Sequence, residues 1–228
     1  MLFKSALVTQ ISGSIGGMTG SHNRGGMYLR ARVIPTDPGT ILQTTMRAII
    51  ANLTSRWNDV LTAGQRTAWN LYASRVTLLN PLGDAINVSG INQYVRSNAP
   101  RAQTGNTLIE DAPTIFDLGS MTPLLSIGAS EATQIITVSF TATDLWNLAG
   151  GRLLLYSGKP TNAGVTFFKG PYRVGFQVSG DDPGVSPAAI PSQYVISQGQ
   201  RVWVRAQASF PDGRLSTSQR IGPIPVAA

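Results

Sequence analysis

Cysteine is absent from the chain and histidine occurs once, at His22. Without cysteine there are no disulfides, no thiolate metal sites and no cysteine nucleophile. A Ser-His-Asp system would have to be built around His22, inside a glycine-rich stretch with no carboxylate near it in sequence. A metal site there would need carboxylates for every other ligand. His22 is therefore read as a solvent or interface histidine. Charged residues are few, at 13%, and only three of the 18 cations are lysine. No apolar run approaches the length of a membrane-spanning helix. The start, "MLFKSALV", sets a lysine before a few apolar residues, but Gln10 and Ser12 cut the run short of a signal-peptide core.

Glycine (24) and proline (14) are plentiful, and hydrophobic residues make up 42% of the chain. That balance fits a folded, β-rich, loop-rich protein rather than a disordered one. The net charge of +7 is unevenly placed. Residues 1–107 carry Lys4 and nine arginines against Asp37, Asp59 and Asp84, while the rest of the chain is balanced. A cationic half joined to a neutral half points to a partner. Arginine's planar fork suits interfacial pairing better than bare solubility does.

Residues 1–36 open with "FKSALVTQI" and the glycine run "ISGSIGGMTGS". "MYLRARV" then alternates, with Met27, Leu29, Ala31 and Val33 on one face and Tyr28, Arg30 and Arg32 on the other. The glycines suggest an extended arm that becomes ordered against a neighbouring subunit. Residues 37–112 read as helical. Leu42, Met46, Ile49, Ile50, Leu53, Trp57, Val60 and Leu61 form a stripe at helical spacing, with Asp37 or Thr40 as its cap. Thr62 and Gln65 form a capping box for a second helix burying Ala68, Trp69, Tyr72, Ala73 and Val76. Ser89 is placed to cap a short third helix that "NAPRAQTG" ends.

The run after "NAPRAQTG" to about Ser130 contains prolines and glycines and reads as a linker, and residues 113–228 comprise its end and a domain of strands. Ile136, Val138 and Phe140 share a face, as do Tyr172, Val174, Phe176 and Val178. Val202, Val204, Ala206 and Ala208 point inward, with Arg201, Trp203, Arg205 and Gln207 outward. "FPDGRLS" turns the last two strands into a hairpin. Short strands at this spacing suggest an immunoglobulin- or fibronectin-like sandwich.

The glycine run is not a phosphate cradle. A P-loop needs Lys-Ser/Thr ahead of a helix, and a dinucleotide fingerprint needs G-x-G-x-x-G; "SHNRGGMYLRARV" supplies neither. The acidic pairs Glu110–Asp111 and Asp181–Asp182 sit in turns beside prolines, where carboxylates are ordinarily just solvated. The sequons at Asn52 and Asn87 lack a secretory context. The arginines remain. Arg24, Tyr28, Arg30 and Arg32 are the candidate partner-binding residues, paired with acidic groups on adjacent protein chains. Their basic-aromatic interleaving also fits nucleic acid, a weaker reading because no nucleic-acid module is recognisable and lysine is scarce.

The order of "ISGSIGGMTGS", "YLRARVIPTDPGT" and "LTSRWNDVLTAGQRTAWNLYA" resembles that of phage and prophage structural proteins. The motif positions here are Trp57, Leu61, Thr62, Gln65, Arg66, Ala68, Trp69 and Ala73. The resemblance covers mainly residues 11–105. It implies a virion component of the tail, neck or fibre and supplies no active site. The expectation is an α+β fold: an extended N-terminal arm and a short helical segment, followed by the sandwich. The expected function is that of a non-enzymatic structural subunit without cofactor, located in the virion. Its partners would be other virion proteins and further copies of itself, with no membrane contact. The alternatives are a DNA-contacting virion protein and a carbohydrate-binding module carried by Trp146, Trp203 and Tyr172.

Overall fold

The structure, a computed structural model, describes residues 2–3, 11–23, 26–34, 36–80, 83–180 and 185–228. The fold is mixed α+β, mostly strands, with three α-helices among the described residues.

The N-terminal strands are β1 (Leu2–Phe3), β2 (Gly13–Ile15), β3 (Met18–Asn23) and β4 (Gly26–Ala31). They form an antiparallel sheet in the order β1-β4-β3-β2. The glycines do not leave the expected extended arm; they turn the chain back on itself. Ile15 pairs with Met18 across a two-residue turn whose Gly16 has φ 56°. Such a tight hairpin needs positive φ, which glycine adopts without a steric cost. Gly20 has a packing reason: a Cβ there would lie 2.1 Å from Ile11 Cγ2. Strand β1 pairs Leu2 with Tyr28 and Phe3 with Met27; a partner strand in "FKSALVTQI" is a sequence expectation that falls, beyond Phe3, mostly on residues 4–10, outside the described residues.

The helices are α1 (Ile41–Asp59), α2 (Ala63–Arg75) and α3 (Gly90–Gln103), with the short strands β5 (Leu78–Leu79) and β6 (Ala85–Ile86) between α2 and α3. Thr40 N donates to Gln43 Oε1 at 3.1 Å, and the Thr62–Gln65 capping box closes at 2.9 and 3.3 Å. Both α1 and α2 pack on α3. Their shared core holds Leu53, Leu61, Trp69, Tyr72, Val76 and Tyr94. The α1 stripe is wider than α3 can cover, so Leu42, Ile50 and Val60 remain exposed. As expected, α3 ends within "NAPRAQTG": it runs through Pro100 to Gln103 and is capped at Thr104.

The remaining strands are β7 (Ser126–Ser130), β8 (Ile135–Ser139), β9 (Arg152–Ser157), β10 (Thr161–Asn162), β11 (Arg173–Ser179), β12 (Ala188–Pro191), β13 (Gln200–Ser209) and β14 (Gln219–Ala227). Their order is β11-β9-β13-β14-β7-β8-β12, with β10 added on β13, and the sheet nearly closes on itself. The β7–β14 pair is parallel; the other pairs are antiparallel. Alternate residues of the strands, among them Val138, Leu153, Val204, Ala206 and Val226, meet in one core with Trp146 and Phe210.

Two expectations are corrected here. Tyr172, Val174, Phe176 and Val178 do not share a face. The β11–β9 register slips between Val174 and Phe176, at Gly175. Phe176 and Val178 therefore reach the main core, while Tyr172 and Val174 join Leu154, Tyr156 and Leu215 on the other face. A β-bulge inserts one residue and so reverses the alternation beyond it. The second correction concerns the supposed linker after α3, which is strapped to its surroundings. Asn98 brackets Ile109, accepting from its N at 2.8 Å and donating to its O at 2.9 Å. Trp69 Nε1 donates to Glu110 O at 2.8 Å and Tyr72 Oη to Asp117 O at 2.6 Å. Gly119, at φ 72°, passes so close to Phe210 that a Cβ would lie 2.3 Å from its ring.

Candidate interface

The N-terminal sheet has two unlike faces, set by register. Tyr28 stands opposite Ser21, and Arg30 opposite Thr19, which in turn faces Ser14. Directly opposed residues share a face. One face is thus polar and basic, with a Ser14–Thr19 hydroxyl bond of 2.9 Å upon it. Arg32 continues the alternation, its backbone N donating to Gly17 O at 2.8 Å. The structure brings Tyr28, Arg30 and Arg32 to one face as expected, with Tyr28 half-buried and both arginines exposed. Arg24 lies outside the described residues. Among the described residues, neither Arg30 nor Arg32 forms an ion pair.

The opposite face is apolar. Met27 stands opposite His22, Leu29 opposite Gly20, and Ala31 opposite Met18, which is itself opposite Ile15. Ile11 packs over Gly20 on this face. Ile15 is 86% exposed, Met18 51% and Val33 72%. Gly20 is buried and Ile11, Met27 and Leu29 are half-buried, so the large apolar side chains exposed on this face are those of Ile15, Met18 and Val33; such a patch marks an interaction surface. Alternation along β4 marks Met27, Leu29, Ala31 and Val33 in advance. Ile15 and Met18 join them only through the hairpin register, which alternation along one strand cannot reveal.

Several arginines of the cationic half are spent inside the chain, which corrects the reading that the charge asymmetry simply reports a partner. Arg47 pairs with Asp37 at 2.8 Å and Arg56 with Glu110. Arg66 donates to Trp57 O and Asn58 O, and Arg75 lies 4.5 Å over the Phe116 ring. Two more tie the helices to the large sheet. Arg96 Nη2 donates to Leu215 O at 2.9 Å. Buried Arg101 donates to Thr107 O at 2.9 Å, Ser209 Oγ at 3.0 Å and Gly150 O at 3.1 Å. Burial, with the charge of Arg152, pulls its pKa below the ordinary guanidinium value. It has three fixed acceptors in place of a carboxylate. Arg214 bridges Asp117 at 2.6 Å and Asp212 at 2.7 Å. No sequence pattern marked Arg96 or Arg101, whose acceptors Leu215, Ser209 and Gly150 lie far along the chain, nor the Arg214–Asp117 pair.

The aromatic residues proposed for glycan binding are not available as a platform. Trp146 is fully buried against Phe140, and Trp203 is buried beneath Phe168, which stacks on it at 6.1 Å. Tyr172 is half-buried, its hydroxyl donating to Phe168 O. Glu110 is engaged by Arg56, and Asp111 accepts from Gln65 Nε2 at 2.9 Å; Asp181 and Asp182 lie outside the described residues. Asn52 lies mid-helix in α1. The Asn87 amide donates to Ala73 O and Ser74 O at the end of α2. Among the described residues no three His, Asp or Glu side chains gather as a metal site, and no helix is long and apolar enough to cross a membrane. The chain matches no family model, no curated protein and no solved structure.

Proposed function

We propose that the chain is a non-enzymatic structural subunit of a bacteriophage particle, a tail, neck or fibre component. It attaches through the N-terminal sheet and carries its neutral C-terminal domain outward, in contact with other virion proteins and further copies of itself. The observation that carries the reading is the exposed apolar part of that sheet, with Ile15, Met18 and Val33 in water. Exposed area of this kind contributes to stability only when another surface covers it. The resemblance of residues 11–105 to phage structural proteins supplies the class of assembly.

We read the C-terminal domain as an immunoglobulin- or fibronectin-like sandwich. Strands β12-β8-β7 make one layer and β14-β13-β9-β11 the other, joined by the parallel β7–β14 pair, with the main core between them. Contact with DNA is the second reading, favoured by Tyr28, Arg30 and Arg32 on one exposed face. It predicts DNA affinity that falls steeply with salt and is lost on replacing both arginines.

Complementation tests the proposal. A phage lacking this gene is supplied with the whole chain or with residues 36–228. Particles are expected to contain the whole chain at fixed stoichiometry and to omit the shortened one while it remains folded and soluble. Particles that carry both forms equally, or neither, would overturn it.

A further inference from the structure

The connection between β9 and β11 is long. It comprises residues 158–172, of which Thr161 and Asn162, strand β10, are regular. Long irregular connections inside a folded domain are usually functional. This one is fastened down. Phe168 stacks on Trp203 at 6.1 Å and meets Tyr172 edge-on at 5.3 Å. Trp203 Nε1 donates to Thr161 Oγ1 at 2.9 Å, Arg201 Nη1 to Val165 O at 2.9 Å, and Tyr172 Oη to Phe168 O at 3.2 Å. Phe168 lies so close to Gly158 that a Cβ there would be 2.3 Å from its ring. The loop is thus closed at a neck, Gly158 against Phe168, and residues 159–167 form a tip beyond it.

Adjacent phenylalanines take opposite roles. Phe168 is the anchor, whereas Phe167 is 68% exposed and Val165 is exposed as well. Asn162 to Phe167 are exposed without a break. An aromatic ring held in water by a fastened loop is preorganised for contact, because little further ordering is needed on binding. The neck is cationic. Lys159 follows Gly158 and Lys169 follows Phe168, so the contact that closes the neck sets both lysines at the base of the tip, where both are exposed. Exposed Arg173 stands opposite Ser157, one residue before Gly158. From residue 145 to residue 180 the sequence holds four cations, Arg152, Lys159, Lys169 and Arg173, and no carboxylate. Among the described residues no carboxylate pairs with any of the four. The neutrality of the C-terminal domain is therefore a sum over unlike parts.

We infer that this loop docks on an anionic lipid surface, with Phe167 and Val165 entering the headgroup layer and Lys159, Lys169 and Arg173 over the lipid phosphates. Charge complementarity selects an anionic surface. The choice of cation selects a fluid one. Two of the three lysines in the chain stand at this neck. Lysine is a mobile point charge on an apolar stem and needs no fixed acceptor geometry. The chain's arginines, by contrast, serve fixed acceptors, as Arg101 and Arg214 do. A folded acidic protein offers such fixed acceptors and is better met by arginine. A nucleic acid would satisfy the cations but leave Val165 in water. Contact of this interfacial kind needs no spanning helix. The inference does not depend on the N-terminal attachment.

Vesicle co-sedimentation with the whole chain tests it. The probes are vesicles of phosphatidylcholine alone and vesicles with about 30% phosphatidylglycerol; a poly-glutamate peptide and an oligo-dT serve as competitors. The anionic vesicles are expected to bind at least tenfold more tightly than the neutral ones, with affinity falling as salt rises. Each cation near an anionic bilayer is worth about fivefold, so K159Q/K169Q is expected to weaken binding about twentyfold. Phe167→Ser is expected to weaken it about tenfold and Phe167→Trp to retain it, each with an unchanged circular dichroism spectrum. R30Q/R32Q alters the basic face of the N-terminal sheet and is expected to change binding less than about twofold. No binding, equal binding of the two vesicles, displacement by either competitor, loss of binding in R30Q/R32Q, or indifference to K159Q/K169Q or to Phe167→Ser would overturn the inference.

Discussion

Trp69 shows how one side chain joins two parts of this fold. Its indole is fully buried against Tyr72 and Tyr94, with edge contacts at 5.9 and 5.6 Å, and its Nε1–H holds the segment after α3 through Glu110 O. Trp69→Ala removes both packing and strap and is expected to cost about 3–5 kcal/mol by urea denaturation. A change near zero would mean that the helical core is not built around it. The neighbouring Tyr72 sets an alkaline limit. Burial pushes its phenol up from 10 to about 12, and burial raises Tyr94, Tyr156 and Tyr172 as well. Between these values the unfolded chain loses protons that the folded chain retains. The stabilisation is therefore complete below about pH 10 and is lost as pH rises through about 12. The urea midpoint is expected to fall between about pH 9 and about pH 11, and Tyr72→Phe to make that fall shallower. An unchanged slope in the variant would assign the effect to other groups. Residue roles of this kind were legible where the signal was local. The Thr62–Gln65 capping box and the burial of Trp69, Tyr72, Ala73 and Val76 follow from spacing alone, whereas Ala68, expected on the same face, is exposed. Arg101 was not legible, because Ser209 and Gly150 meet it only after the chain has folded.

At the scale of elements, the least legible part was the segment expected as a linker. Its prolines and glycines are turn signals, yet its backbone is bonded at Thr107, Ile109, Glu110 and Asp117 to side chains of α2 and α3. Buried Asn98 is the main fastening. Asn98→Ala strands both the N–H and the C=O of Ile109 and is expected to cost about 1–3 kcal/mol. Hydrogen exchange checks it directly: the Ile109 amide should lose protection in the variant, and unchanged protection would contradict the strap. The inner face of β13 was legible, with Val202, Val204, Ala206 and Ala208 all buried, but Trp203, expected outward, is buried too, beneath Phe168. Strand β11 was not, since a bulge changes faces mid-strand and Gly175 is its only sequence signal. In the N-terminal sheet the alternation of β4 was legible, whereas the meander that sets Ile15 and Met18 beside it depends on turn register.

The whole molecule divides by chemistry rather than by covalent boundary. The helices and the large sheet are joined through Arg96 and Arg101, and Arg214 ties the segment after α3 to the β13–β14 turn, so they are expected to unfold together. Arg101→Ala should destabilise residues 36–228 by about 2–4 kcal/mol, and Arg101→Lys nearly as much, because an ammonium cannot reach three acceptors spread around a planar fork. Full rescue by lysine would reduce the clamp to a charge effect. The N-terminal sheet differs from both units in that Ile15, Met18 and Val33 stand exposed on one part of its apolar face. Hydroxyl-radical footprinting of the free chain and of purified particles tests the central claim, attachment through that face, most directly. In the free chain Ile15 and Met18 should label strongly, as should Phe167 and Val195, which are exposed on the C-terminal domain. In the particle, Ile15 and Met18 should be protected while Phe167 and Val195 stay labelled. Equal labelling of Ile15 and Met18 in the two states would contradict the account.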